Sequence, residues 1–147
     1  MNKELDPRPL AGLRVIEIGQ LLAGPFTGTI LGYFGAEVIK VEPPEVGDPI
    51  RGWREVRDGT SLWWASLSRN KKCITLDLKT PKGQEVLKKL ANTADVFVEN
   101  FRPGTMEKWG IGPDTFKEEN PGLIYARISG YGQTGPAASK AGFASAC

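Results

Sequence analysis

Histidine is missing from this chain of 147 residues. Without an imidazole, the chain alone supplies neither a Ser–His nor a Cys–His nucleophile pair, and it has no histidine-rich metal site. A general base drawn from this sequence has to be a carboxylate, a lysine or a tyrosine. Acid–base chemistry within the chain is therefore restricted to these three kinds of side chain.

Cysteine is nearly as scarce. Cys73 falls inside a predicted strand, and Cys147 is the last residue. Two cysteines so placed give neither a disulfide framework nor the spacing of a zinc site. This usage is typical of a reducing compartment, so we expect a cytoplasmic protein with no metal and no tightly bound cofactor.

Long apolar runs and a strong net charge are also lacking. No apolar run comes near the roughly 18 residues that cross a bilayer, and residues 1–9 are charged and contain proline rather than a signal-peptide core. A net charge of +2 is too small to indicate nucleic-acid binding. With 40% hydrophobic and 24% charged residues, the composition is typical of a globular domain. We expect partners other than membranes and nucleic acids.

The segment 13–42 predicts a strand, a helix and a second strand. Apolar runs at 13–18 and 37–41 flank a helical segment that has Pro25 in its first turn and Gly35 at its end, as helices favour. Further strands are predicted at 73–78, 95–99 and 123–129, with a helix that Thr80 caps and Pro81 begins. Strands alternating with helices predict an α/β fold with a Rossmann-like, doubly wound parallel sheet.

Three glycines line one face of the first predicted helix, because Gly24, Gly28 and Gly32 recur every four residues. Two interpretations are compatible: the helix packs tightly on the sheet, or the phosphates of a ligand lie over the helix N-terminus. Gly19 and Gly24 have P-loop spacing, but Pro25-Phe26 stands where Lys-Ser/Thr is needed, so an NTPase is disfavoured.

Charged and aromatic residues outside these runs have ordinary interpretations. We expect Lys71-Lys72 to face solvent and Glu42 to be a solvated carboxylate at a strand end. Arg51 and Arg54 lie in the glycine-rich segment 45–60, which is predicted to be a loop, and are candidates for phosphate contact. Trp63 and Trp64 predict a short helix at 61–68 that packs apolar surface, with an adenine platform as the alternative.

The fourth predicted strand delivers Asn100, Phe101 and Arg102 to the carboxyl edge of the sheet, where open α/β sheets bind ligands. An amide, an aromatic ring and a guanidinium suit a nucleotide. The loop 130–136, which follows the fifth strand, contains three glycines and predicts either close approach to a ligand or a flexible connector.

Six ordered blocks of the sequence are informative together: Leu22-Ala23-Gly24-Pro25, residues 31–44, Arg69-Asn70-Lys71-Lys72, Leu76-Asp77-Leu78-Lys79, residues 98–104 and residues 129–136. They resemble the family III CoA-transferases, the group of formyl-CoA and carnitine CoA-transferases, and the resemblance covers nearly all of the chain from Pro9 onward. The resemblance implies that residues 1–147 are a single partial domain, the N-terminal part of the large coenzyme A-binding domain of an interlocked homodimer.

The resemblance also implies a set of coenzyme A contacts. By position they are Leu22, Ala23, Leu76, Asp77, Leu78, Lys79, Asn100, Phe101, Arg102, Lys108, Ala141, Gly142, Phe143 and Ala144. Lys108 matches a position that is often arginine, and Ala144 replaces an acid. Pro43 stands where some relatives have a phosphate-binding arginine, which removes that contact here.

The activity implied by the resemblance is transfer of CoA from an acyl-CoA thioester to a carboxylic acid, through an aspartyl anhydride and an aspartyl-CoA thioester. Gly142-Phe143-Ala144-Ser145, in place of a Gly-Phe-Asp pattern, resembles the members of the family that use dicarboxylic acids, so the resemblance favours a dicarboxylic acid. The nucleophilic aspartate is expected downstream of Cys147, so no catalytic residue is assigned within the chain and the chain alone is expected to be inactive.

Two alternatives remain open. An α-methylacyl-CoA racemase of the same fold would need Gly-His-Asp where this sequence has Gly142-Phe143-Ala144, so its base is missing. A coenzyme A-binding or dimer-forming fragment without catalysis would also account for the chain, because no nucleophile is identified in it.

Overall fold

A computed structural model describes residues 7–142 as an α/β structure built on a parallel sheet. In chain order, the strands are β1 (Arg14–Glu17), β2 (Glu37–Glu42), β3 (Val56–Arg57), β4 (Thr60–Ser61), β5 (Lys71–Thr75), β6 (Val96–Glu99) and β7 (Ile124–Arg127). Five of them form one sheet in the order β5-β2-β1-β6-β7, and every pairing in it is parallel. The predicted fold class is confirmed.

The helices occupy the connections between these strands. They are α1 (Ala23–Tyr33), α2 (Leu62–Leu67), α3 (Pro81–Ala91) and α4 (Thr105–Lys108), with short 3-10 turns at Pro49–Gly52 and Pro113–Phe116. The predicted start of α3 is confirmed, because the Thr80 hydroxyl accepts a hydrogen bond from the Gly83 N–H at 3.1 Å and Pro81 follows. Among residues 7–142, none of these helices is long and apolar enough to cross a bilayer.

Apolar clusters cover both faces of the sheet, which is why its central strands read as nearly continuous hydrophobic runs. On one face, Val15, Val38 and Val98 pack with Leu31 of α1. On the other face, Ile16 and Phe97 pack with Leu87 of α3, Met106 of α4 and Phe116. Helices on both faces make the sheet doubly wound.

Two details differ from the sequence predictions. The third strand of the sheet is β5 at Lys71–Thr75, not 73–78, because Leu76 and Leu78 turn toward the core and the Asp77 carboxylate accepts the Lys79 N–H at 3.0 Å. The segment 45–60, predicted as a loop, contains the first strand of the hairpin β3–β4 and part of the second. Asp58 and Gly59 connect these strands with φ of 49° and 75°, the positive angles of a type I′ turn.

Candidate functional site

The carboxyl ends of β1 and β6 are joined by the Asn100 side chain. Its Oδ1 accepts the Gln20 N–H at 2.8 Å, and its Nδ2 donates to the Gln20 carbonyl oxygen at 2.9 Å. The amide therefore pairs with both polar backbone groups of Gln20, as a residue of a neighbouring β-strand would. Asn100 fixes the turn after β1 to the end of β6.

The turn between β1 and α1 is folded so tightly that two of its glycines touch. A Cβ on Gly19 would lie 2.7 Å from the Gly24 Cα and 2.9 Å from Asn100 Oδ1. A side chain at either glycine would displace the backbone or the amide. The first glycine of the helix face thus contacts Gly19 and Asn100, in agreement with the tight-packing interpretation of that face.

Leu21 adopts a left-handed backbone conformation at the middle of this turn, with φ of 62°. Such an angle is unfavourable for a bulky L-residue and persists only when the surroundings enforce it. The Leu21 N–H donates to Asp48 Oδ1 at 3.0 Å, and the same oxygen accepts the Ile50 N–H at 2.9 Å. The loop after β2 therefore holds the turn after β1.

The predicted contact residues lie on segments that follow the carboxyl ends of parallel strands. Leu22 and Ala23 follow β1, residues 76–79 follow β5, and residues 100–102 follow β6. Leu22, Leu76, Leu78, Asn100 and Phe101 are half-buried, whereas Ala23, Asp77, Lys79, Arg102, Lys108, Ala141 and Gly142 are exposed. Phe143 and Ala144 lie outside the described residues.

Phe101 packs into the core with part of its ring. It meets Trp109 edge-on, with ring centroids 5.4 Å apart, and its N–H donates to Glu99 Oε2 at 2.7 Å. Glu99 is buried, and burial raises its pKa even though the Arg127 guanidinium lies 3.0 Å away. The orientation of the 100–102 loop is thus set by a buried carboxylate.

The loop after β7 returns upon itself. A Cβ on Gly130 would lie 2.5 Å from the Gly142 Cα, so the two backbones are in contact. Gly132 and Gly135, between them, have φ of 80° and 89°. Ala141 and Gly142 are thereby placed beside the carboxyl end of β7.

Beneath the turn after β1 lies a group of four charged side chains, Glu17, Lys40, Asp48 and Lys71, which we call the buried cluster; each side chain is at most 1% exposed. Lys40 Nζ lies 2.8 Å from Glu17 Oε1 and 2.8 Å from Asp48 Oδ2. Lys71 Nζ lies 2.7 Å from Glu17 Oε2. The cluster has two positive and two negative charges.

Burial lowers the pKa of Lys71, with the Glu17 carboxylate opposing that shift. Burial also opposes the charge on Lys40, but Glu17 and Asp48 outweigh it and raise the Lys40 pKa. The expectation that Lys71 faces solvent is therefore wrong. In the sequence, Glu17 and Lys40 each stand between two apolar residues of a predicted strand, which is a weak local signal and does not identify their partners.

The expectation of a solvated Glu42 is also wrong. Glu42 is buried, and its two oxygens accept hydrogen bonds from Arg51 Nε at 3.0 Å and Nη2 at 2.7 Å. The Arg51 guanidinium in turn lies 3.6 Å from the centroid of the Trp64 ring, while Arg54 lies 4.8 Å from that of Trp53. Arg51 thus anchors the loop after β2.

Within residues 7–142, no group of three or more Cys, Asp or Glu is arranged to hold a metal.

Comparison with known proteins identifies the family. The model of CoA-transferase family III matches residues 10–146, and the chain belongs to this family. It is 56% identical over 146 residues to succinyl-CoA–D-citramalate CoA-transferase of Chloroflexus aurantiacus. This match covers 99% of the chain and 36% of that relative. Human succinyl-CoA:glutarate CoA-transferase is 46% identical, covering 92% of the chain and 31% of the human protein.

Solved structures agree with this assignment. The crystal structure of a CAIB/BAIF family protein from Brucella suis matches with a TM-score of 0.85 and 42% identity, over 92% of this chain and 37% of that one. The chain thus spans about a third of the length of the relatives that it matches.

Proposed function

We propose that a full-length protein carrying this chain transfers coenzyme A from succinyl-CoA to a small carboxylic acid. The observation that carries the proposal is the 56% identity, over 99% of the chain, to a relative named for that donor. Relatives named for malate and for glutarate carry the same donor in their names, so a dicarboxylic acid is the proposed acceptor.

The contribution of this chain in the proposal is a coenzyme A site at the carboxyl edge of the sheet. Lys79, Arg102 and Lys108 are exposed on segments following that edge and offer positive charges to phosphates. The contacts among Gly19, Gly24 and Asn100 keep the turn after β1 tightly folded, and a narrow pantetheine arm would lie beside it at the exposed Ala23. We propose that residues 1–147 form a single partial domain and that the full-length protein is an interlocked homodimer.

The proposed chemistry uses a carboxylate from outside this sequence. That carboxylate attacks the thioester carbonyl and releases CoA thiolate, which leaves a mixed anhydride. The thiolate then attacks the anhydride carbonyl that comes from the enzyme's own carboxylate. This step gives a thioester between the enzyme and CoA, and it releases free succinate. The acceptor carboxylate attacks this thioester and releases CoA thiolate, which leaves a second mixed anhydride. The thiolate then attacks the acceptor's carbonyl of that anhydride, which gives the CoA thioester of the acceptor and regenerates the enzyme carboxylate. No step removes a proton, which agrees with a chain that has no histidine.

Hydroxylamine tests the proposed reaction directly. Full-length protein incubated with succinyl-CoA and hydroxylamine should yield an aspartyl hydroxamate, because hydroxylamine attacks both the anhydride and the thioester. Peptide mass spectrometry locates the adduct, and a sample without succinyl-CoA is the control. A racemase or a non-catalytic coenzyme A binder forms no acyl intermediate, so absence of the adduct would contradict CoA transfer.

Lys108 tests the proposed binding site separately. If its ammonium meets a phosphate, Lys108→Ala should weaken coenzyme A binding by about 1–3 kcal/mol, the usual worth of a charge-assisted hydrogen bond. Titration calorimetry with coenzyme A measures the change. Lys89→Ala is the matched control, since Lys89 is also an exposed lysine but pairs with Glu85 on α3. Equal affinities for both variants would remove Lys108 from the site.

A further inference from the structure

We propose that the buried cluster is a positioning device for the coenzyme A site: it holds the turn between β1 and α1 in the conformation that binds the coenzyme A thioester. The inference rests on the proposed function, since it assigns coenzyme A to that turn. The residues of the buried cluster contact the protein backbone rather than the substrate, so they are positioning residues.

The cluster contacts the turn at its beginning and its middle, and it also contacts the first turn of α1, which follows. Lys40 Nζ donates to the Gly19 carbonyl oxygen at 2.9 Å. Asp48 Oδ1 accepts the Leu21 N–H at 3.0 Å. Lys71 Nζ donates to the Pro25 carbonyl oxygen at 2.6 Å. Three members of one connected group thus bind three backbone groups within seven residues of chain.

Stability alone does not account for four buried charges. Removing a charge from water costs several kcal/mol, and well-packed apolar residues of similar volume are often equally stabilising or better. Apolar side chains, however, make no hydrogen bonds. What Lys40, Asp48 and Lys71 supply beyond packing is therefore directional contact with the backbone of the turn.

The middle contact acts on a strained residue. Leu21, with φ of 62°, lies immediately before Leu22 and Ala23, which are proposed coenzyme A contacts. A non-glycine residue held in the left-handed backbone conformation costs of order 1–3 kcal/mol, and it relaxes when its restraints are removed. Loss of the cluster's hydrogen bonds would therefore shift the two residues that follow.

A charge-balanced double variant of the full-length protein tests the inference. Lys40→Met with Asp48→Leu removes one charge of each sign and leaves the pair of Glu17 and Lys71 intact. Neither new side chain makes a hydrogen bond, so the contacts to the Gly19 carbonyl oxygen and to the Leu21 N–H are both lost. The control is Lys72→Met with Glu37→Gln, a solvent-exposed pair between β5 and β2 whose N···O distance is 2.6 Å.

We expect the turn to loosen and the thioester to bind less well in the double variant. Hydrogen exchange of the amides of residues 20–22 should speed up by about tenfold or more. The KM for succinyl-CoA should rise by about tenfold, with a smaller change in kcat, because the loss falls on binding. The control variant should leave both measurements unchanged.

The outcomes separate this inference from the proposed function. Unchanged exchange, or unchanged KM despite faster exchange, would overturn the positioning role while transfer by the unmodified protein continued. Absence of transfer in the unmodified protein would instead contradict the proposed function, and exchange would still report on the turn. If the first variant does not fold, the double variant Lys71→Met with Glu17→Gln repeats the test, because it removes the hydrogen bond from Lys71 to the Pro25 carbonyl oxygen. Failure of both to fold would assign the cluster to the fold alone and overturn the inference.

Discussion

Two groups of ion pairs involve the same three strands, β1, β2 and β5, with Asp48 of the loop after β2 added to one of them, and the groups differ in burial rather than in distance. In the buried cluster, Lys40 lies 2.8 Å from two carboxylates with 1% of its side chain exposed. Near the amino end of β2, Glu37 lies 2.7 Å from Arg14 and 2.6 Å from Lys72, and 35–73% of these three side chains is exposed. The comparison teaches that contact distance alone does not set the energy of an ion pair.

Neighbouring residues of β5 fall into the two groups. Lys71 and Lys72 point to opposite faces, as successive residues of a strand do. The Lys71 side chain is buried and reaches Glu17 and the Pro25 carbonyl of α1, whereas 73% of the Lys72 side chain is exposed. Adjacent lysines in the sequence thus differ in what their removal should cost.

The largest expected effect is that of Lys40→Met. It leaves Glu17 paired with Lys71 alone and removes the ammonium that pairs with the buried Asp48. Breaking a buried pair in this way costs about 3–5 kcal/mol. Lys72→Met should cost less than about 1 kcal/mol, because its pair is exposed to solvent. Urea unfolding of the full-length variants measures both free energies. Comparable losses would mean that burial does not distinguish the two groups.

The second effect concerns the helix that covers the buried cluster. A Cβ on Gly28 would overlap with Glu17 Oε2, whereas one on Gly32 would meet Asn70 and Val38 at an ordinary 3.4 Å. Gly28→Ala should destabilise the protein by about 1–3 kcal/mol through overpacking. Gly32→Ala should be neutral or stabilising by up to about 1 kcal/mol, because alanine favours the helix.

Thermal unfolding of these two alanine variants gives the comparison, since both lie in α1 and four residues apart. The prediction fails if Gly28→Ala is as stable as Gly32→Ala. In that case, Glu17 would have room to move away from the helix, and the cluster would be less tightly held than its distances indicate.

The sheet was predictable because its signals are local. Apolar runs, Pro25, Gly35 and the Thr80 cap mark the elements, and their alternation fixes parallel pairing. Six blocks of sequence then identified the family. The Asp58-Gly59 turn of the hairpin was also readable, because an Asp-Gly pair between two short strands favours a type I′ turn.

The buried cluster was not predictable in the same way. Nothing local distinguishes Lys71 from Lys72, and the partners of Lys71 are 54 and 46 residues earlier in the chain, at Glu17 and Pro25. The role of Asn100 was likewise hidden. Its amide looked available to a ligand, yet it is paired with the backbone of Gln20. Burial of polar groups depends on tertiary contacts, which composition and periodicity do not encode.

The smallest expected effect is that of Glu37→Gln, and it is pH-dependent. Hydrogen bonds from Lys72 and then Arg14 lower the pKa of Glu37 below its usual value. A lowered pKa stabilises the folded state at pH values above the unfolded carboxyl's pKa, and that contribution disappears as the pH falls through the lower folded value. At pH 7 the variant should lose less than about 1 kcal/mol, given the exposure of the pair. The loss should vanish in acid and shrink in concentrated salt. Urea unfolding at several pH values measures it, and a loss that persists in acid would show that Glu37 contributes through packing rather than charge.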